Sequence, residues 1–175
     1  MLKRKWYLIA TVALAMLLAS TLTACSTSKK EKEIIAPDFT LQTTNGETIT
    51  LSKLRGQPVM LIFWSINCTS CKYQEPFLEE FYAKQTNKSL KLITVNAGDP
   101  PFAVEQHAAS SNMTFPILLD TNRKVARDYG LPGVPVTVFV DSRGYITAYK
   151  IGPFQSREDI EKAVDSIWSL LTRTS

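Results

Sequence analysis

The apolar residues of this chain form continuous runs and helix-spaced sets that alternate along the sequence. Residues 59–64 (VMLIFW) form a continuous apolar run, which is typical of a central strand buried on both faces. In residues 69–84 the large apolar side chains recur at helical spacing, so the pattern predicts a helix with one face on the core. Residues 90–95 then predict a second buried strand.

Shorter elements precede and follow this unit. Residues 38–42 and 47–51 are predicted strands, and Asn45-Gly46 between them supplies a hairpin turn. The remaining pattern predicts helices over 102–111, 123–129 and 157–171 and strands over 115–119, 136–140 and 145–149. Strands that alternate with helices and then end in a hairpin and a helix predict one three-layer α/β domain with a mixed sheet, over residues 34–175.

Residues 1–24 have the pattern of a targeting segment. Lys3-Arg4-Lys5 is followed by an apolar run from Leu8 to Ala19, which is short for a membrane span and suits a signal peptide. The sequence Leu22-Thr23-Ala24-Cys25 resembles the bacterial lipobox. We therefore expect a lipoprotein signal peptide over residues 1–24 and lipidation of Cys25, whose acyl chains would supply the membrane affinity.

The polar residues that follow, 26–33 (STSKKEKE), lack periodicity and are predicted to form a flexible tether. An uncleaved anchor helix from Trp6 to Leu22 is the alternative to a lipid on Cys25. Both arrangements place the domain outside the cytoplasmic membrane, because the positive end stays inside. A tether this short would restrict the domain to partners at the same membrane surface.

The charge of the chain does not suggest a nucleic-acid partner. The formal net charge is +4, and Lys3, Arg4 and Lys5 account for three of these charges. The body that remains is close to neutral and has no clustered basic stripe, so nucleic-acid binding is not expected.

Cys68-Thr69-Ser70-Cys71 lies where the predicted strand 59–64 gives way to a helix. A cysteine at a helix N-terminus has its thiolate stabilised by free backbone N–H groups and by the helix dipole. We predict that Cys68 attacks a substrate disulfide and that Cys71 resolves the mixed disulfide, with Lys72 adding favourable charge near the thiolate. The Cys68–Cys71 disulfide is the redox group, and no other cofactor is expected.

Two other uses of this cysteine pair remain open. A zinc site normally needs four ligands, and the chain offers only Cys25 and one histidine, His107, besides the pair, so no metal site is predicted. A purely structural disulfide would also suit an oxidising compartment. The strand–CxxC–helix context favours redox catalysis over both.

A second signal is Gly133-Val134-Pro135, which precedes the predicted strand 136–140. Proline is confined to strand starts, edges and bulges, because it cannot donate in a sheet ladder. A cis bond between Val134 and Pro135 would expose backbone polar groups to an extended substrate, and a trans turn is the alternative.

Together these segments resemble the thioredoxin superfamily, and within it the membrane-tethered TlpA/ResA-like branch. The resemblance covers about residues 34–172 and rests on residues 63–71 (FWSINCTSC), Pro76, residues 129–141 (YGLPGVPVTVFVD), Ala36-Pro37-Asp38-Phe39 and the segment 97–120 inserted before the Pro135 strand. It implies a thioredoxin fold with α/β/α layers, an N-terminal β-hairpin and an inserted α/β element.

The same resemblance implies an activity. It implies redox exchange at Cys68 and Cys71 and a cis peptide at Pro135. Members of this branch typically reduce disulfides of extracytoplasmic proteins, often in apocytochrome c maturation, and draw electrons from a membrane thiol–disulfide donor.

The chain departs from the family pattern around the cysteines. Asn67 stands where a tryptophan usually precedes the first cysteine, and Gln74 stands where the cytochrome-maturation relatives commonly have an acid. Glu75, one turn beyond Cys71, is a candidate proton acceptor, and a solvated helix position is the alternative. Trp64 is expected to pack beside the disulfide, and His107 to be a surface or satisfied polar residue.

Two other classes of function compete with thiol–disulfide exchange. Thiol peroxidases of the peroxiredoxin type share the fold, but they use a Pro-x-x-x-Thr-x-x-Cys setting that this chain lacks. A copper carrier or an interaction module is the non-enzymatic alternative. Copper carriers of this fold use C-x-x-x-C with a distal histidine, whereas the spacing here is C-x-x-C.

Overall fold

The computed structural model describes residues 33–84 and 89–172, which form an α/β unit. The strands are β1 (Ile34–Ile35), β2 (Thr40–Gln42), β3 (Thr48–Thr50), β4 (Val59–Trp64), β5 (Lys91–Ala97), β6 (Ile117–Asp120), β7 (Val136–Val140) and β8 (Tyr145–Ile151). The helices are α1 (Thr69–Lys84), α2 (Pro101–Ser110), α3 (Lys124–Asp128) and α4 (Arg157–Leu171), with a 3-10 turn at Leu51–Leu54. Six strands form a sheet in the order β1-β8-β7-β4-β5-β6, and β2 pairs with β3 separately.

Strand β4 is central in this sheet, and each of its residues is buried. It pairs in parallel with β5 and antiparallel with β7, so the sheet is mixed as predicted. Because successive side chains of a strand point to opposite faces, Leu61 and Phe63 enter one core while Met60, Ile62 and Trp64 enter the other. Trp64 therefore lies on the face that carries α1.

Helices cover both faces of the sheet. Leu78 of α1, Val104 of α2 and Ile160 of α4 belong to the core that contains Trp64. Val125 of α3 and Phe39, beside the β2–β3 hairpin, belong to the opposite core. The predicted three-layer arrangement is confirmed.

The hairpin of β2 and β3 joins the rest of the unit at β6. Thr43, which directly follows β2, forms an isolated antiparallel bridge with Leu118 of β6. The predicted turn is confirmed, with Gly46 at a φ of +84°, a backbone conformation that side chains other than glycine rarely adopt. The segment between β5 and α3 supplies α2 and β6, which are the predicted inserted α/β element.

The edge strand β1 was not foreseen by the sequence pattern, and it contains only two residues. It pairs with the first part of β8, where Ile34 lies opposite Ile146. The other end of β8 lies beside the predicted cis-proline loop, because Ile151 pairs with Val136. The first described residues and that loop therefore lie at opposite ends of β8.

Other differences from the predicted elements are small and have local causes. Strand β6 begins at Ile117 rather than at Phe115, because Pro116 has no N–H to donate and only its carbonyl enters the ladder, accepting from Thr94 N at 2.9 Å. Residues 33–84 and 89–172 contain no helix that is long and apolar enough to span a membrane. The predicted signal peptide, the lipidation of Cys25 and nearly all of the predicted tether lie outside the described residues.

Candidate active site

Cys68 occupies the N-cap position of α1, just after the loop that leaves β4. Its carbonyl accepts the first helical hydrogen bond, from Lys72 N at 3.1 Å, and its Sγ accepts from Cys71 N at 3.1 Å. The sulfur thus takes the place that the side-chain oxygen of an N-cap serine or aspartate would take. Negative charge on this sulfur would face free N–H groups and the positive end of the helix dipole.

Cys68 and Cys71 are joined in a disulfide, with their Cα atoms 5.2 Å apart. The two cysteines differ in exposure. Cys71 is 1% exposed, whereas Cys68 is only partly buried. The Cys68 sulfur is therefore the more accessible of the two, and the predicted order of attack stays a prediction.

The loop before Cys68 is held by a carboxylate that the sequence analysis did not single out. Asp99 accepts from Ile66 N at 2.8 Å and from Ser65 Oγ at 3.4 Å. Asn96 Nδ2 donates to the same carboxylate at 2.8 Å. The signal that could have found it is a polar Asn-Ala-Gly-Asp sequence at the carboxyl end of β5, next to the end of its parallel neighbour β4, where α/β folds build their sites.

The Val134–Pro135 bond is cis, so the isomer implied by the resemblance is confirmed. The Val134 carbonyl oxygen lies 3.5 Å from Cys68 Sγ, although 66 residues separate the two in the chain. The next carbonyl, that of Pro135, accepts from Gly152 N at 2.9 Å, which ties the loop to the end of β8. The Pro135 segment is thus placed against the exposed sulfur.

The polar residues proposed to flank the pair take different positions. Asn67 and Lys72 are exposed, and within residues 33–84 and 89–172 neither side chain makes a hydrogen bond or an ion pair. Gln74 is 1% exposed, and its Oε1 accepts from Phe154 N at 3.0 Å. This buried amide therefore fixes the turn before α4.

Glu75 is not a solvated helix position. Its carboxylate oxygen Oε1 is hydrogen-bonded to His107 Nε2 at 2.8 Å, and its side chain is 13% exposed. His107 is a satisfied polar residue, as expected, but its location is new, because its ring lies 5.6 Å from the ring of Trp64. The structure thus brings α2 against α1 directly behind the cysteine pair.

Two spaces adjoin this Glu75–His107 pair. A small pocket of about 10 Å³ is lined by Cys71, Glu75 and Trp64, among other residues. An open groove of about 500 Å³ is lined by Ile66 and His107 with residues of α2. Within the described part of the chain, no group of three or more potential metal ligands occurs.

Comparison with known proteins places these features in a family context. The sequence profile of the AhpC/TSA family matches residues 34–149. The thiol-disulfide oxidoreductase ResA of Geobacillus kaustophilus is 33% identical over 132 residues, 75% of each chain. ResA of Geobacillus thermodenitrificans is 31% identical over 95% of this chain and 99% of the relative. The crystal structure of StoA from Bacillus subtilis matches with a TM-score of 0.66 and 30% identity, over 73% of this chain and 96% of StoA. The thioredoxin-like fold and the resemblance to the ResA branch are confirmed.

Proposed function

The chain belongs to the AhpC/TSA family and is a thiol-disulfide oxidoreductase, and on this premise we propose that it reduces disulfides of proteins outside the cytoplasmic membrane through Cys68 and Cys71. One observation carries the proposal. The disulfide has one partly exposed sulfur at a helix N-terminus and one buried sulfur behind it, which is the asymmetry that two-step exchange requires.

The reaction consists of two displacements. In the dithiol form, the Cys68 thiolate attacks a client disulfide, a mixed disulfide forms, and one client thiolate leaves. Cys71 then loses its proton and attacks Cys68 Sγ, which forms the Cys68–Cys71 disulfide and releases the second client thiolate. The client gains two electrons and two protons, and a thiol donor must later return the enzyme to its dithiol form.

The client is held next to Cys68 by backbone contacts. The Val134 carbonyl lies 3.5 Å from Cys68 Sγ, at the edge of the site. A client segment that runs in an extended conformation past this edge pairs its backbone with the Val134 peptide. Exposed Asn67 gives the approach to Cys68 a smaller and more polar surface than a tryptophan would.

The proton of Cys71 goes to Glu75, the carboxylate that lines the same small pocket. Gln74 does not serve as the acceptor, because an amide does not take up a proton at neutral pH. Lys72 contributes a positive charge one residue beyond Cys71. With these roles, the proposed exchange uses side chains of this chain and needs no metal or organic cofactor.

The enzyme acts from a lipid on Cys25 at the outer face of the bacterial membrane. The apolar run and the lipobox-like sequence before Cys25 support this part of the proposal. A membrane thiol–disulfide carrier is the electron donor, and the resemblance to the ResA branch makes apocytochrome c a client to test first. Replacement of Cys25 by serine is expected to move the protein from the membrane to the soluble fraction.

The full-length protein in detergent provides the test of activity. Dithiothreitol-driven reduction of insulin disulfides is expected to be faster with the wild-type protein and to return to the uncatalysed rate with Cys68→Ser or Cys71→Ser. Cys25→Ser is the matched control, since it removes the third cysteine of the chain and is expected to keep full activity. Activity that survives Cys68→Ser would contradict the proposal.

The direction of exchange follows from the reduction potential of the Cys68–Cys71 couple. A value near about −270 mV, as in thioredoxin, is expected for a reductant. A value near about −120 mV would make the protein a disulfide-forming enzyme. Rapid peroxide consumption by the wild-type protein would favour a thiol peroxidase, and stoichiometric copper binding by Cys68→Ser would favour a carrier.

A further inference from the structure

His107 and Glu75 form a largely buried pair behind the redox site. His107 Nε2 lies 2.8 Å from Glu75 Oε1, and the two side chains are 14% and 13% exposed. One residue comes from α2 and the other from α1, 32 positions apart in the chain. A carboxylate that loses contact with water to this extent needs a hydrogen-bonding partner, and His107 supplies it.

A small pocket adjoins both Glu75 and the buried cysteine. Its volume is about 10 Å³, and Cys71 and Glu75 both line it. Trp64 lines it as well, is 4% exposed, and has an indole N–H without a hydrogen-bond partner in the described part of the chain. Most of the other side chains around this pocket are apolar, and Glu75 is the one carboxylate among the described residues that line it.

The opposite side of the pair faces solvent. His107 lines the open groove of about 500 Å³ together with Ile66 and residues of α2. Glu75 therefore lines the pocket that Cys71 also lines, while its partner His107 lines the groove.

We propose that His107 is a positioning residue that holds the Glu75 carboxylate beside Cys71, where Glu75 takes the proton of Cys71. The proposal rests on the proposed exchange at Cys68 and Cys71. In the resolving step the S–H bond of Cys71 breaks, Glu75 takes the proton, and the Cys71 thiolate forms the new bond to Cys68 Sγ. The bond between Cys68 and the client sulfur breaks, and the client thiolate leaves with that electron pair.

Few other charged groups compete for this role. On α1, Lys72 is exposed and Glu79 bonds to Thr114. On the side of α2, Glu105 is exposed and Asp99 bonds to the loop before Cys68. Strand β4 and the segment 111–116 contribute no titratable side chain.

The test separates the two displacements with a chromogenic aromatic disulfide and the full-length dithiol protein. The first aryl thiolate is released when Cys68 attacks, and the second is released when Cys71 resolves the mixed disulfide. Because an aryl thiolate leaves without being protonated, the second phase reports the loss of the Cys71 proton. Cys71→Ser should show only the first phase.

At neutral pH, Glu75→Gln is expected to slow the second phase about 100-fold, the lower end for loss of a general base, and to leave the first phase unchanged. His107→Phe keeps a ring beside Trp64 and removes the hydrogen bond, and it should slow the second phase about 10-fold. His107→Gln, which offers an amide in place of Nε2, should recover most of the rate, and Glu79→Gln is the matched control with wild-type rates.

A pH profile distinguishes proton transfer from a merely structural role. Hydroxide removes the Cys71 proton increasingly well as the pH rises, so the deficit of the Glu75 and His107 variants in the second phase should shrink steadily between about pH 7 and about pH 10. A His107→Phe protein whose second phase is unchanged at neutral pH, or is slowed equally at every pH, would overturn the inference. Absence of both phases in the wild-type protein would instead refute exchange at Cys68 and Cys71.

Discussion

The backbone N–H of Cys71 lies 3.1 Å from Cys68 Sγ, so the resolving cysteine also stabilises the sulfur of the nucleophile. The contact exists because Cys68 is the N-cap of α1 and Cys71 is the third helical residue, whose N–H is shared between the Cys68 carbonyl, also at 3.1 Å, and the Cys68 sulfur. Two intervening residues are therefore needed both for this hydrogen bond and for the disulfide.

Ser70 is expected to strengthen the same effect. Its Oγ lies 3.4 Å from Cys68 Sγ, within reach for a hydrogen bond to a thiolate. In a Cys71→Ser background, Ser70→Ala should slow alkylation of Cys68 by iodoacetamide at pH 7 about threefold, as loss of a weak hydrogen bond predicts. Thr69→Ala, which removes a neighbouring exposed hydroxyl, is the control, and an equal effect of both changes would argue against a specific contact.

Asp99 is expected to determine the order of the loop before Cys68. Asp99→Ala leaves Ile66 N and Asn96 Nδ2 without their acceptor, so the free energy of unfolding should fall by about 2 kcal/mol in urea titrations. Insulin reduction should slow as well, because the N-cap geometry of Cys68 depends on this loop. Asp165→Asn, at an exposed position of α4, should change neither quantity, and a stable, fully active Asp99→Ala protein would contradict this account.

Replacement by valine is expected to change the free energy of unfolding in opposite directions at two buried threonines. Thr137 is 0% exposed and its Oγ1 has no hydrogen-bond partner among the described residues, so Thr137→Val should stabilise the protein by about 1 kcal/mol. Thr94 is 1% exposed and its Oγ1 donates to the Pro116 carbonyl at 3.1 Å, so Thr94→Val should destabilise it by about 1 kcal/mol. Thermal unfolding of both variants measures the two changes. Melting temperatures that shift in the same direction would refute the prediction.

Asp38 is expected to make a small contribution to stability that depends on pH. Partial burial opposes its ionisation, but hydrogen bonds from Ser52 and Phe39 and the charge of Arg55 lower its pKa overall. A carboxyl group with a lowered pKa stabilises the fold above its unfolded pKa, and this contribution is lost as the pH falls through the folded pKa.

Because Asp38 is exposed, Asp38→Ala should cost only about 0.5 kcal/mol at pH 7, at the low end for cap substitutions. The difference from wild type in urea titrations should vanish near pH 2. A difference that persists unchanged at that pH would show that the carboxylate charge is not the cause.

Most of the fold follows from hydrophobic patterning, because the deciding interactions are local or belong to continuous apolar runs. The apolar run at 59–64 predicts β4, and the helix spacing after Cys71 predicts α1. The C-x-x-C sequence at the start of α1 predicts the disulfide. The edge strand β1 was not predictable, since two exposed isoleucines have no periodicity to read. Ile34 becomes a strand residue only because β8 offers it a backbone partner.

The redox pair could be predicted from the sequence, but its surroundings could not. Cys68 and Cys71 are close in the chain, and helix geometry alone fixes their separation. Glu75 and His107 meet only because α2 packs against α1 in one particular register, which no spacing in the sequence encodes. The same is true of Asp99, whose role depends on the alignment of β4 with β5.

The opposite placement of β1 and the cis-proline loop along β8 has a practical consequence for electrochemistry. Ile34 pairs with Ile146, whereas the loop is reached at Ile151, so roughly 17 Å of strand separates the two ends. A gold surface or a bead attached through residues before Glu33 would leave the exposed sulfur of Cys68 accessible. The domain is therefore suited to voltammetry as an oriented monolayer, in which dissolved proteins can still exchange electrons with it.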